Sequence, residues 1–471
     1  MGKWRKFGPV VVALVISLGI TLLLGTGMLT AEDGSGALDG IQPDPNRTPA
    51  PTPNVTQSDE IWENGQDDDQ SRRNGGFGFE NVAQTVGFGY ESAFRGIGGG
   101  TSLSGVYVVD YDNDGDEDLL ATGGEKPVLF ENLDGTFELV RTFDHSETHA
   151  AHFFDYNNDG WRDLVLAEYA GNIVLFENHN GSFERGDVGL DRSARVPTAI
   201  TSADFTGNGC LDLFVGQNGL WQQGTPISLS EIRRVQNDPD ARPRTQSGGE
   251  NLLFYGDCAT FQEATDHAGI HGKNWTLATS AADFTGDGYV DIHVGNDLSA
   301  DFLYVNQGDG TFERHDLGPV TDRNAMGSVA RDVTGDGRLD LFVTNIYANE
   351  EIHGAGNTDT VLMPNPHGNN LLVNTGVDEG GANDDIGNLF VDRAPEHGLD
   401  KGGWGWAASI DDYNNDGHLD VVHATSGEIP FEPYDQYRTP QVWMGTADSW
   451  EAVDERELGL AEHQARGLAR F

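Results

Sequence analysis

From Gly76 onward, short apolar runs alternate with polar turns that carry glycine. GVYVVD and AAHFFD each lead into an acidic turn, and a second apolar run starts directly after each such turn. Those second runs read DLLATG, DLVLAE, DLFVGQ, DIHVGN, DLFVTN and DVVHAT. Two β-rich runs joined by a tight turn predict a hairpin. A third run with its own turn and an aromatic residue follows, as VLFENLDGTF, IVLFENHNGSF, NLLFYGDCATF and FLYVNQGDGTF. The repeating unit is therefore about four strands, which is the make-up of a propeller blade.

The turn inside each first hairpin is one nine-residue loop written six times: DYDNDGDED, DYNNDGWRD, DFTGNGCLD, DFTGDGYVD, DVTGDGRLD and DYNNDGHLD. Oxygen-bearing side chains occupy places one, three, five and nine. In the first loop these are Asp110, Asp112, Asp114 and Asp118, and in the second Asp155, Asn157, Asp159 and Asp163. The third offers Asp204, Thr206, Asn208 and Asp212, and the fourth Asp283, Thr285, Asp287 and Asp291. The fifth offers Asp332, Thr334, Asp336 and Asp340, and the sixth Asp412, Asn414, Asp416 and Asp420. Place six is always glycine, as a tight turn around a cation requires. Place seven holds Asp116, Trp161, Cys210, Tyr289, Arg338 and His418. Such variety suits a ligand supplied by the backbone carbonyl.

An all-oxygen set rich in carboxylates selects a hard cation, and a flexible many-liganded loop favours Ca²⁺ over Mg²⁺, about one ion per loop. An EF-hand is excluded. Its bidentate Glu at place twelve is here Ala121, Leu166, Val215, Val294, Val343 or His423, and the flanks are β-like rather than helical. Asp, Asn and Gly also make ordinary turns, but turn chemistry alone does not demand oxygen at four places in six copies. The third loop carries only two carboxylates, so its ion is expected to be held least tightly.

First aspartates are 45, 49, 79, 49 and 80 residues apart. The two long intervals predict insertions near Gln222–Gly249 and Ala348–Gly387. A sixth third-strand run, QVWMGTADSWEAV, is followed by GLAEHQARGLARF, which resembles the approach to another acidic loop. The expectation is an all-β, seven-bladed β-propeller spanning 76–471, with its seventh blade cut short at Phe471.

Charge sets the surroundings. The formal net charge is −48, and loop ligands account for only a minority of the 76 Asp and Glu. Lysine is confined to Lys3, Lys6, Lys126, Lys273 and Lys401. This resembles the surface of proteins from high-salt environments, where salt screens self-repulsion; the alternative is an acidic secreted protein stabilised by divalent cations. Nucleic acid is excluded as a partner, because its phosphates would be repelled.

Residues 1–8 are basic, with Lys3, Arg5 and Lys6, and an apolar stretch follows over 9–29. That length crosses a bilayer as a helix, with the positive end inside. A transmembrane signal anchor with the propeller outside the cytoplasm is expected; the alternative is a cleaved signal and secretion. Residues 30–75, rich in Asp, Gly and Pro, read as a disordered linker. Asn46, Asn54, Asn180 and Asn274 begin N-x-T or N-x-S/T-type sequons. Cys210 and Cys258 are the only thiols, and an exported location leaves a disulfide open.

The D-x-D-x-D-G-x-x-D loop between strands, followed by an LFEN-x-DGTF-like run, resembles the FG-GAP/VCBS repeats of integrin-α-type propellers. The longer pattern of FENVAQTVGF, GSVARDVTGDGRLDLFVTNI and FVDRAPEHGL is similar to bacterial and archaeal relatives of cartilage acidic protein. The resemblance covers about Gly76 to Phe471 and implies a seven-bladed, Ca²⁺-loaded extracellular propeller. The ASPIC/UnbV segment found in many such relatives does not occur in this chain.

Two functions follow as expectations. The first is a cell-surface binding or adhesion module for an extracellular protein or polysaccharide. No G-x-S-x-G, H-E-x-x-H or C-x-x-C-H motif is present to support nucleophilic, zinc or haem chemistry. The second is a carbohydrate-active lyase or hydrolase at the channel mouth. His145, His149, His152, Asn274, Trp275, Trp404 and Trp406 would serve it, provided that His149, Trp275 and Trp404 share one pocket. Against it stands the ordinary role of His and Trp as packing between blades.

Overall fold

The computed structural model describes residues 86–87, 105–122, 126–145, 148–168, 171–190, 196–218, 248–297, 300–317, 321, 324–345, 368–376, 386–403, 405–425 and 441–453. Within them lie six four-stranded antiparallel sheets, the blades. Blade 1 comprises β1 (Val106–Val109), β2 (Asp118–Ala121), β3 (Val128–Leu133) and β4 (Thr136–Thr142). Blade 2 comprises β5 (Thr148–Phe154), β6 (Asp163–Glu168), β7 (Ile173–His179) and β8 (Ser182–Arg185). Next come β9 (Pro197–Ala203), β10 (Asp212–Gln217), β11 (Gly249–Glu250), β12 (Leu252–Gly256), β13 (Phe261–Glu263) and β14 (Lys273–Asn274). Of these, β9, β10, β12 and β13 make blade 3, while β11 and β14 pair separately.

Blade 4 is β15 (Thr276–Ala282), β16 (Asp291–Asn296), β17 (Phe302–Asn306) and β18 (Phe312–Asp316). Blade 5 is β19 (Gly327–Arg331), β20 (Asp340–Thr344), β21 (Asn370–Asn374) and β22 (Phe390–Asp392). Blade 6 is β23 (Gly405–Asp411), β24 (Asp420–Thr425), β25 (Gln441–Gly445) and β26 (Trp450–Val453). First strands of successive blades pack side by side from β1 through β5, β9, β15 and β19 to β23, which makes them the inner ring.

The apolar runs are nearly continuous because both faces of each blade are covered. Leu164 and Leu166 face blade 1, whereas Val165 and Ala167 face blade 3. This is the two-residue alternation of a strand read against two cores instead of one. The same layering recurs between blades 3 and 4, 4 and 5, and 5 and 6.

A glycine with a left-handed backbone clips successive blades together. Val188 O accepts the Phe261 N–H at 2.6 Å, and Ala268 O accepts the Phe312 N–H at 2.9 Å. Gly189, φ +86°, follows the first of these acceptors, and a Cβ there would run into the Phe261 carbonyl. Val86 and Gly87 make the same clip on Phe137 of blade 1.

The β-propeller class is borne out, but the blade number is corrected. Six blades are present among the described residues, not seven. Each blade is built on one acidic hairpin, and the chain holds six of those. A second correction concerns Ala348–Gly387, predicted as one insertion: Asn370–Asn374 within it is β21, the third strand of blade 5. The predicted anchor over 9–29 and linker over 30–75 lie outside the described residues, as does the approach to a further loop after 453. No helix among the described residues is long and apolar enough to cross a membrane.

Candidate metal loops and the opposite end of the blades

Every acidic loop joins the first strand of a blade to the second, in one register. Val109 pairs with Asp118, Phe154 with Asp163, Ala203 with Asp212, Ala282 with Asp291, Arg331 with Asp340 and Asp411 with Asp420. Place nine is thus always the first residue of the second strand, and all six loops sit at one end of their blades.

Inside each loop the backbone wraps the place-one carboxylate. The place-five N–H donates to its Oδ1 at 3.0 to 3.2 Å in all six copies. The glycine N–H at place six donates to its Oδ2 at 2.8 to 3.1 Å. The place-nine carboxylate does other work. Its Oδ2 accepts the place-two N–H at 2.8 to 3.2 Å. Its Oδ1 accepts an N–H from the third strand at 2.7 to 2.9 Å.

These place-nine groups are buried, at 0 to 1% exposure. Burial pushes Asp118, Asp163 and Asp291 up to about 7 and Asp212 up to about 6, against the lowering effect of their backbone hydrogen bonds. Asp340 and Asp420 are raised for the same reason. A carboxylate held in this way without a counter-charge is under electrostatic stress that a cation would relieve.

The residues fit a hard cation on two observations. Thr206 Oγ1 and Thr285 Oγ1, both at place three, are buried with no hydrogen-bond partner. Carboxylate oxygens of Asp110, Asp112 and Asp118 lie within 4.8 Å of one another. Side chains at place seven have other duties: Cys210 is disulfide-bonded to Cys258, and Arg338 pairs with Asp336. That division suits a backbone-only role at this place. Arg338 also sets a cation against a place-five carboxylate, so the fifth loop is electrostatically weaker than its residues suggest.

Sequence reasoning missed the third-strand asparagines. Asn132, Asn178, Asn306 and Asn374 each donate an amide N–H to the carbonyl of place eight, at 3.0 to 3.1 Å. The signal was the Asn closing FEN, FEN, YVN and LVN, where blades 3 and 6 have Gly256 and Gly445.

At the opposite end of the blades lie the starts of the first strands and the ends of the second. The histidines expected there do not converge. His145 Nδ1 meets Thr148 Oγ1 at 2.9 Å, and burial lowers its pKa. His152 Nε2 meets Ser202 Oγ of blade 3 at 2.8 Å, and burial pushes the ring down to about 4. His149 and Trp275 are each buried, on blades 2 and 4, and Trp404 lies outside the described residues. A cleft of about 320 Å³ on blade 2, lined by Ile173, Leu175, Arg185 and Val188, includes none of them.

A serine–histidine–aspartate set does occur between blades 4 and 5, yet it is a seam. Ser328 Oγ meets His293 Nδ1 at 2.9 Å and Ser280 Oγ at 2.8 Å. His293 Nε2 is 3.9 Å from Asp301 Oδ2, beyond hydrogen-bond reach, and all three residues are at most 3% exposed. No substrate reaches such a serine. Elsewhere at this end, Asn274 Nδ2, Trp275 Nε1 and both side-chain amide atoms of Asn324 are buried without partners.

A ring of four-stranded sheets, each opened by the same acidic hairpin, defines a repeat-built β-propeller. The FG-GAP-like repeat model matches residues 155–215 and 283–343, which run from the acidic loop of blade 2 into the second strand of blade 3 and from the acidic loop of blade 4 into the second strand of blade 5. The chain thus carries FG-GAP-like repeats within a β-propeller. It is similar to cartilage acidic protein 1 of Mus musculus, 24% identical over 385 residues, covering 75% of this chain and 52% of that protein. The Homo sapiens protein is 24% identical over 392 residues, covering 75% and 51%. The chain spans about half the length of these curated relatives. Among solved structures, an Agrocybe aegerita lectin described as recognising non-reducing terminal N-acetylglucosamine matches with TM-score 0.44 and 15% identity, over 75% of this chain and 81% of that one. The BP39L lectin of Burkholderia pseudomallei matches with TM-score 0.46 and 10% identity, over 74% and 84%.

Proposed function

We propose that this chain is a membrane-anchored, extracellular binding module whose propeller is stiffened by Ca²⁺ at the acidic loops. It engages a protein or polysaccharide through the end of the blades opposite those loops. One observation carries the reading: the six acidic loops all sit at one end of their blades, which leaves the other end, where Asn274, Trp275 and Asn324 lie, to face a partner. The buried, unpaired donors of these three residues hold ordered water, and a ligand at that end is held through it. The loops supply rigidity to the strands that hold these donors. The charge-poor third loop holds its ion least tightly.

The test is an array of glycans and matrix proteins probed with the full chain in calcium and in chelator. Trp275→Phe and Asn324→Ala should lose binding while keeping the calcium-loaded melting temperature. Binding untouched by both variants would refute the placement, and release of shortened saccharides would favour the enzyme instead.

A further inference from the structure

Hydrogen bonds cross from blade to blade between the acidic loops, and they come in two kinds. In the first kind, the place-four asparagine reaches the place-six carbonyl of the next loop. Asn113 Nδ2 donates to Gly160 O at 3.1 Å, and Asn158 Nδ2 donates to Gly209 O at 2.9 Å and to Cys258 Sγ at 3.2 Å. In the second kind, a third-strand asparagine reaches back to the place-two carbonyl of the preceding loop. Asn178 donates to Tyr111 O at 2.7 Å, Asn306 to Phe205 O at 2.9 Å and Asn374 to Phe284 O at 2.8 Å.

The two kinds are distributed unevenly. Loops 1 and 2 are joined by both. Loops 2 and 3 are joined through Asn158 alone among these bridges, because blade 3 has Gly256 where its neighbours have the third-strand asparagine. Loops 3 and 4, and loops 4 and 5, are joined by Asn306 and Asn374, since Gly207 and Gly286 occupy place four. Between loops 5 and 6 neither kind is available: Gly335 stands at place four and Gly445 in the third strand. An Arg331–Asp411 pair at 3.7 Å lies at that junction instead.

We infer that loops 1 to 5 form a coupled row in which ordering one cation site lowers the cost of ordering its neighbour, that Asn158 carries the coupling between loops 2 and 3, and that the row ends before loop 6. This rests on the cation reading of the loops. Each bridge grips a part of the loop that an ion would order. The glycine carbonyls at place six belong to the peptides that precede place seven, whose own carbonyl is the expected ligand. The third-strand asparagines bind the place-nine carboxylate of their own blade through the main chain while holding the neighbouring loop through the side chain. An ion that fixes one loop therefore fixes a hydrogen-bonding partner of the next, and the second ion has less to order.

Asn158 can be replaced without disturbing the backbone. Its φ is 59°, and Gly207, Gly286 and Gly335 occupy the same place at 71°, 77° and 73°. Trp161 at place seven of loop 2 provides a local antenna for terbium used in place of calcium. The experiment titrates terbium into the full chain, exciting tryptophan, with Trp161→Phe identifying the loop 2 signal. Asp204→Ala disables loop 3, with Thr206→Val as a second way of weakening it should the first variant not fold. Weakening loop 3 is expected to reduce terbium affinity at loop 2 about fivefold, the scale of one hydrogen bond, and Asn158→Gly is expected to abolish that dependence. Asp412→Ala in loop 6 should leave loop 2 unchanged.

A loop 2 affinity indifferent to loop 3, or a dependence that survives Asn158→Gly, would overturn the coupling. Calcium absent from native mass spectra, with no Trp161-sensitised terbium, would instead remove the cation reading and the coupling with it.

Discussion

Replacing His423 with leucine should flatten the acid limb of the stability curve. His423 is fully buried on β24, its ring packs edge-to-face on Trp443, and neither nitrogen has a partner. Gly402 and Gly405 lie so close to the ring that a Cβ on either would collide with it. Burial drives its pKa down to about 3, so the folded state refuses a proton that the unfolded chain accepts near 6.5. The sign follows directly. The stability associated with the neutral ring is fully present above pH 6.5 and is lost as pH falls towards the folded value. At pH 5 the loss is about 1.36 kcal/mol for each of roughly 1.5 pH units, or about 2 kcal/mol. That figure depends on the unfolded pKa and the assay pH, because 5 lies well above the folded value. Urea unfolding in saturating calcium at pH 7.5 and 5.0 measures it, and other pH effects cancel in the difference between wild type and His423→Leu. The wild type should lose about 2 kcal/mol more than the variant across that interval. A difference under about 0.5 kcal/mol would show that His423 is hydrated or partnered in solution and refute the reasoning.

Two further outcomes concern the glycine clip between blades and the Cys210–Cys258 disulfide. Gly189→Ala places a Cβ against the Phe261 carbonyl in a left-handed backbone, so unfolding should become easier by about 3 kcal/mol; a change within 0.5 kcal/mol of zero in thermal unfolding would contradict the blade-clip role. Cys210 and Cys258 are 48 residues apart, and opening a loop of that size should cost about 4 kcal/mol on the chain-entropy estimate. Denaturant unfolding of a Cys210→Ser/Cys258→Ser double variant reads this, and an unchanged midpoint would mean that native packing already holds the loop.

What could be read from the sequence was whatever repeats locally. Loop oxygens, the place-six glycine and the flanking apolar runs fall within nine residues of each other, so six hairpins were visible before any contact was known. The third strand of blade 5 was hidden because its partner Phe390 lies well beyond it, past residues 377–385, and no DGTF-like turn marks the join. The inter-loop asparagines were hidden for a different reason. Asn306 and its acceptor Phe205 are 101 residues apart, and only the packing of blade 4 against blade 3, β15 against β9, makes them neighbours. The disulfide became decidable in the same way. Place seven of a loop and the turn between third and fourth strands share one end of the blade, bringing the Cys210 and Cys258 Cα atoms to 5.1 Å.

The place-nine aspartate shows why ligand type and fold could not be separated from sequence alone. Counted as a metal ligand, it looks equivalent to places one, three and five. In the structure it is the residue that bolts its loop to the third strand, through two backbone N–H groups, in all six blades. Place three and place five tolerate Thr and Asn in the third loop, yet Asp212 is retained there with both of its bonds. Formal charge is thus absent from the third loop at places whose side chains bond only within or near that loop, as Asn208 does to the Cys210 N–H and the Gly256 carbonyl. It is present in all six loops where the same oxygens also hold the sheet together. The burial that raises these carboxyls is imposed by the fold, and a divalent ion beside them would offset its cost. On that account a cation would complete an arrangement the hairpin has already built, and the acidic repeat is a joint of the propeller before it is a binding site.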